Sequence, residues 1–270
     1  MIEGKPTIHL NTFLGKRAAE IHVSNHCNLN CIGCSHFSPL VKESFLEANQ
    51  YREDMMSIPS NIRAYFSEIR LLGGEPLLNH EISEIIQITR ETFKQASVVL
   101  VTNGICIPNM NDSFWESCSE NRVTIGITEY PIQFDYSKIK SIIKNHDVNW
   151  FVYADRCGKG QFQKRPLSLK SQEKSNKNFF DCVFTKEWSC MQIVGTKLYY
   201  CPTCAYVRYF SEFFGLDIRC DEYLDLKKVK DIEEIAFFLL AVKEFCKYCA
   251  LDRIENVDWE PSRQKMTEWM

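Results

Sequence analysis

Cys27, Cys31 and Cys34 stand in the run HCNLNCIGCSHFSPL, residues 26–40, with the spacing C-x3-C-x2-C. Three thiolates in so short a loop can hold three irons of a cubane iron–sulfur cluster and leave the fourth iron open to a small ligand. Taken alone, the triplet could also be a zinc knuckle. Two further elements stand downstream. Gly73-Gly74-Glu75-Pro76 carries two glycines that let the backbone approach a ligand closely, with Glu75 beside them to hydrogen-bond or orient nearby groups. Thr102-Asn103-Gly104 offers polar groups in the next such position.

Taken together, these elements resemble the radical S-adenosylmethionine superfamily. The resemblance implies that Cys27, Cys31 and Cys34 hold a [4Fe–4S] cluster whose open iron chelates the amino and carboxylate groups of S-adenosylmethionine. Gly73, Gly74, Glu75 and Pro76 match the family's GGEP motif, which engages the methionine amino group. Thr102 and Asn103 fall where family members face the ribose, and Thr128 aligns with a polar position that touches the cofactor. Many members carry an aromatic residue just before the third cysteine; this chain has Gly33, which removes adenine stacking from that site. His26 and His36 flank the loop and are read as local hydrogen-bonding groups.

The elements that must position these residues come from the region 18–155, where short apolar strands alternate with amphipathic helices. Strands are expected over 19–24, 69–72, 97–102, 123–128 and 148–154. Helices are expected over 43–66 with a break near Pro59, and over 81–93, 111–119 and 136–145. SVVLVT, residues 97–102, is a continuous β-branched run of the kind buried in a parallel sheet. The alternation predicts an α/β fold, a partial (β/α) TIM-type barrel, with chemistry at the carboxyl ends of its strands. The divisions expected are 1–156 for the barrel, 157–178 for a basic linker or loop, and 179–270 for a small C-terminal α+β domain.

The C-terminal third holds Cys182, Cys190, Cys201, Cys204, Cys220, Cys246 and Cys249. A hairpin is expected within 189–202, turning at Gly195, and a helix over 232–246 ending in a C-x2-C pair. Twelve residues separate Cys182 from Gly195, and five separate Gly195 from Cys201. This layout resembles the twitch domain, a shortened SPASM domain, which implies an auxiliary [4Fe–4S] cluster on Cys182, Cys201, Cys246 and Cys249. The family pattern has one residue fewer after the glycine, so Cys190 stays open as a substitute for Cys182. Structural zinc on the pairs Cys201/Cys204 and Cys246/Cys249 is the rival, although the pairs lie further apart than the roughly 15–20 residues of a zinc ribbon. Cys106, Cys118, Cys157 and Cys220 are read as ordinary core or loop residues.

Composition agrees with an intracellular enzyme. The chain has 270 residues, 45% hydrophobic, with 13 cysteines and a formal charge of −3. Nothing marks a nucleic-acid surface, a targeting signal or a membrane span, so the cytoplasm is the expected location. Clustered thiols in a reducing compartment point to metal ligation. An auxiliary cluster would act as an electron sink, which suits net oxidation. The overall layout is similar to the 2-deoxy-scyllo-inosamine dehydrogenases. That resemblance implies alcohol oxidation or epimerisation of a small polar, carbohydrate-like substrate, with an external one-electron reductant such as flavodoxin or ferredoxin. The Lys-rich stretch and Arg156 would suit an anionic or sugar-linked substrate. Modification of a ribosomal peptide is the alternative, disfavoured because fewer than twenty residues precede the first strand. A non-catalytic iron–sulfur or zinc protein is the alternative of another class. No catalytic base is identified; Tyr130, Tyr153 and Cys106 are the options.

Overall fold

The computed structural model describes residues 17–153, 161–170, 175–184 and 190–270. Arg156, Cys157, Lys159 and Lys174 lie outside the described residues. The chain opens with β1 (Ala18–Ser24) and continues through β2 (Glu68–Gly73), β3 (Ser97–Thr102), β4 (Val123–Ile127) and β5 (Asn149–Val152). All pair in parallel, in the order β5-β4-β3-β2-β1. The crossovers carry helices α1 (Ala48–Ser57), α2 (Ser60–Arg63), α3 (Ile82–Thr92), α4 (Asp112–Glu120) and α5 (Tyr136–Asn145). This is a partial TIM-type barrel. The strands and α5 fall where the sequence places them. The first helical stretch begins only at Ala48, because residues 38–47 are used to close the cysteine loop and to pair with β1, as Leu46 N–H donates to Val23 O.

Alternation along β1 explains its burial. Ala19, Ile21 and Val23 join the helix-covered core with Ile69, Leu71, Val98 and Leu100. Glu20 and His22 face the other way, into the barrel. There Glu20 is paired with Arg70 of β2 at 3.2 Å and accepts from Gln192.

Beyond the barrel, β6 (Gln161–Lys164) and α6 (Ser175–Asp181) precede the hairpin β7 (Met191–Val194) and β8 (Lys197–Tyr199), which turns at Gly195. Strand β7 pairs in parallel with β1, so the hairpin and β9 (Leu224–Asp225) extend the barrel sheet to eight strands. Helix α7 (Pro202–Phe214) follows the hairpin, and α8 (Ile232–Leu240) stops before the last cysteine pair, which stands on a short 3-10 turn. Finally β10 (Glu255–Asp258) pairs antiparallel with β6. Residues 161–164 are thus a paired strand, not bare linker. Lys164 is bound to Glu255 at 3.2 Å, and the Arg165 guanidinium lies over the Phe184 ring. No helix among the described residues is long and apolar enough to cross a membrane.

Candidate active site

The cysteine loop leaves β1, and the GGEP loop leaves the neighbouring β2. They are fastened backbone to backbone. Gly74 N–H donates to Ser24 O at 2.7 Å and Glu75 N–H to His26 O at 2.8 Å. Only glycine permits this approach. A Cβ on Gly73, whose φ is +146°, would stand 1.9 Å from Ser24 O, and one on Gly74 would stand 2.0 Å from His26 O.

Glu75 is buried and ties this loop to the end of β3. Its carboxylate accepts from Thr102 Oγ1 at 2.6 Å, Asn103 N–H at 2.9 Å and Leu77 N–H at 3.1 Å. Burial raises its pKa to about 7 despite these bonds. Of the two roles open to Glu75, the geometry shows the orienting one. Pro76 begins a short 3-10 turn whose first turn Glu75 caps. Asn103 Nδ2 reaches back to Asn28 Oδ1 at 2.7 Å, so the third loop is fixed to the first. Thr128 directly follows β4 and donates its N–H to Thr102 O at 2.9 Å, which places it at the same rim.

Cys27 and Cys31 are buried, and Cys34 is half-buried. Burial pushes the Cys27 and Cys31 thiols up to about 12, and also raises Cys34. Cys27 and Cys31 are further raised by charge on neighbouring thiols, whereas hydrogen bonds from the following turn and Ser38 partly offset burial at Cys34, so ionising all three together calls for a compensating cation. Leu29 N–H points at Cys27 Sγ at 3.5 Å and Trp259 Nε1–H at Cys31 Sγ at 3.1 Å. Clustered buried thiols supplied with N–H donors fit a cluster bound through thiolates. The flanking His36 shares a hydrogen bond with His22 at 2.6 Å, as expected of a local partner.

Gly33 has φ +60°, and a Cβ there would stand 3.0 Å from Glu268 O. An aromatic residue is absent from this position because the segment 255–270 crosses it. That segment binds the loop closely. Ile32 N–H donates to Glu260 O, Ser262 N–H to Asn30 O, and Trp269 Nε1–H to Cys34 O at 2.9 Å. Sequence reasoning missed Trp259, Trp269 and Asn28 because their partners are distant in the chain. It also missed Glu20, whose signal was a charge alternating with apolar residues in AAEIHVS.

Cys182, Cys201, Cys246 and Cys249 line one cavity with Asn178, whose Nδ2 donates to Cys246 O at 2.9 Å and Cys249 O at 2.7 Å. Cys201 is the N-cap of α7 and accepts from Cys204 N–H. Burial raises the Cys201, Cys246 and Cys249 thiols, and each is raised further by charge on Cys182. Cys190 does not line this cavity; it stands by Glu20 and Arg70, within electrostatic reach of Cys182. Cys204 is joined to Cys220 in a disulfide, which corrects two readings: Cys220 is not an ordinary loop thiol, and Cys204 is not free to complete a zinc pair with Cys201. Cys118 is a buried core thiol, as expected. Among the described residues, no group of three or more His, Cys, Asp or Glu side chains is placed to hold a single metal ion.

Of the three candidate bases, Tyr130 stands over Cys31, and Cys106 accepts from Asn28 Nδ2. Tyr153 stands near Arg70 and Glu20 on the inner face, with its phenol pushed up to about 12 by burial.

The comparisons with known proteins agree with this arrangement. The Radical SAM superfamily matches residues 21–154. The GTP 3′,8-cyclase of Clostridium acetobutylicum is 36% identical over 92 residues, 33% of this chain and 28% of that protein. The GTP 3′,8-cyclase of Synechocystis sp. is 32% identical over 107 residues, 38% of this chain and 32% of that protein. The chain thus spans about a third of the length of the curated relatives it matches. BtrN in complex with AdoMet and 2-DOIA is 12% identical, with a TM-score of 0.52 over 87% of this chain and 93% of that chain, a likeness of fold. The chain therefore carries a Radical SAM superfamily domain over residues 21–154, whose cofactors are a [4Fe–4S] cluster and S-adenosylmethionine.

Proposed function

We propose that this enzyme uses a radical to oxidise or epimerise an alcohol of a small polar, carbohydrate-like substrate. Cys27, Cys31 and Cys34 hold the first cluster. When bound and reduced, it supplies the electron that cleaves S-adenosylmethionine to a 5′-deoxyadenosyl radical able to abstract hydrogen from substrate. The chain's own part is positioning. Gly73 and Gly74 bring the GGEP backbone against the cysteine loop, and Glu75 locks Thr102 and Asn103 at the same rim. Glu20, Arg70 and Gln192 give the barrel's inner face hydrogen-bonding groups suited to a polar substrate.

The observation that carries the oxidative reading is the second thiol set, Cys182, Cys201, Cys246 and Cys249, around one cavity. Four thiolates close a cubane completely, leaving it to accept an electron instead of binding substrate. Held by these four thiolates, such a cluster would supply a one-electron acceptor, the chemistry that a net two-electron oxidation of substrate would need. The fold likeness to BtrN covers 87% of this chain, whereas the likeness to the GTP 3′,8-cyclases covers less than half of it. An external reductant of the flavodoxin or ferredoxin class would charge the first cluster.

Anaerobic iron and sulfide analysis with Mössbauer spectra tests the reading. About eight irons in wild type and about four in the Cys27→Ala/Cys31→Ala/Cys34→Ala variant support two cubanes. About four in wild type and none in the variant would remove the electron sink and redirect the search to redox-neutral reactions. Failure of the reduced, reconstituted protein to form 5′-deoxyadenosine would overturn the enzymatic reading.

A further inference from the structure

We infer that Trp259 sets the reduction potential of the first cluster by donating its indole N–H to the Cys31 thiolate. The inference rests on the reading that Cys27, Cys31 and Cys34 hold that cluster.

Trp259 Nε1 lies 3.1 Å from Cys31 Sγ, across 228 residues of sequence. Indole is a donor only, so the direction of the bond is fixed. Among the described residues, Cys27 and Cys34 receive no N–H from a side-chain ring, while the Tyr130 hydroxyl also faces the Cys31 sulfur. Cys27 is met by a backbone N–H at 3.5 Å, and Cys34 by the backbone of the turn that follows it and by Ser38.

The indole is held on both sides. Before it, β10 is paired with β6 through Asp258↔Gln161. After it, Glu260 O accepts from Ile32 N–H at 2.9 Å, Pro261 bridges to Cys31, and Ser262 N–H donates to Asn30 O at 2.7 Å. Trp259 also packs beside Cys27, Leu29 and Cys31 with Ile105, Tyr130, Ile132 and Phe162, which holds the ring against the loop. A donor fixed this way costs no reorganisation when charge on the sulfur changes.

Hydrogen bonds to cluster sulfurs are among the factors that set cluster potentials. Reduction adds one electron and one negative charge, which a donor at the sulfur stabilises. The Trp259 bond therefore favours the reduced form and raises the potential, easing electron entry from the external reductant.

The test is an anaerobic, EPR-monitored redox titration of the reconstituted full chain. Trp259→Phe keeps a ring and removes the donor. Its midpoint for the first cluster is expected to be more negative than wild type, with iron content unchanged. Trp269→Phe loses a bond to the Cys34 carbonyl, not to a thiol, and is expected to keep the wild-type midpoint. An unchanged midpoint in Trp259→Phe at full iron content overturns the inference. If Trp259→Phe fails to load iron, a benzothienylalanine placed at 259 keeps the shape of indole without its N–H; an unchanged midpoint there overturns the inference equally. Loss of iron from the Cys27, Cys31 and Cys34 variants is read separately. If those variants keep all their iron, the ligand assignment fails, whatever the midpoints show.

Discussion

Thr102 Oγ1 donates to Glu75 Oε1 at 2.6 Å, joining the end of β3 to the loop that leaves β2. The bond is sheltered on all sides, and shelter has a cost for a carboxylate. Burial raises Glu75 from 4.5 to about 7. Between those values the folded chain holds a proton that the unfolded chain releases. Stability therefore falls as pH rises through that window, by about 3 kcal/mol at about 1.4 kcal/mol per unit. The melting temperature of the cluster-free protein should decline between pH 4.5 and 7, and Glu75→Gln should flatten the decline. A wild-type profile that is already flat would show that Glu75 titrates as an ordinary carboxylate.

Gly74→Ala is expected to separate the GGEP loop from the cysteine loop. Its new Cβ would meet His26 O at 2.0 Å and Cys27 N at 2.7 Å, both backbone atoms. The cost in stability should be about 2 kcal/mol or more. Calorimetry should show S-adenosylmethionine binding weakened at least roughly tenfold, equivalent to about 1.4 kcal/mol. Wild-type affinity in this variant would mean that the two loops need not touch for binding.

The two candidates for the fourth auxiliary ligand can be separated by iron analysis. Cys182 lines the cavity with Cys201, Cys246 and Cys249, whereas Cys190 stands by Glu20. Cys182→Ser should lose about four irons and Cys190→Ser none. Cys204→Ser should also keep its iron, since Cys204 is engaged with Cys220. The reverse pattern for Cys182 and Cys190 would reassign the ligand.

Trp269→Phe should destabilise the protein without touching a thiol. The indole N–H that it removes satisfies Cys34 O at 2.9 Å, and Trp269 is 2% exposed, so water is poorly placed to replace it. Cys34 O keeps Phe37 N–H at 3.0 Å, so the loss is that of one of its two hydrogen bonds, about 0.5–1.5 kcal/mol. The denaturant midpoint should fall accordingly, and a midpoint equal to wild type would show that the Phe37 N–H alone suffices for the carbonyl.

The barrel was legible because its signals are local. SVVLVT reads as a buried strand and YSKIKSIIKN as an amphipathic helix without reference to anything distant, and both stand where expected. The three motif loops were legible for the same reason, each following its own strand. What tightens the site was not legible. The pairing of Glu20 with Arg70 and Gln192, the contact of Trp259 with Cys31 and the Cys204–Cys220 link leave no periodic mark. Gly33 was read as a departure from the family pattern; only the fold shows that the 3-10 turn Met266–Trp269 takes that space.

The segment 255–270 has a consequence for how the enzyme is made. Cys31 and Trp259 are 228 residues apart, so the cysteine loop is synthesised long before the part of the chain that closes over it. Until then Cys31 lacks its indole donor and the Cys34 carbonyl lacks the Trp269 N–H. Maturation machinery thus has an interval, ending when β10 docks on β6, in which the nascent loop is open to iron and sulfide. Leu167 extends this timing to the other thiols, since it bridges to Cys249 and donates its N–H to Trp269 O at 2.7 Å. A single docking event therefore bears on both cysteine sets at once.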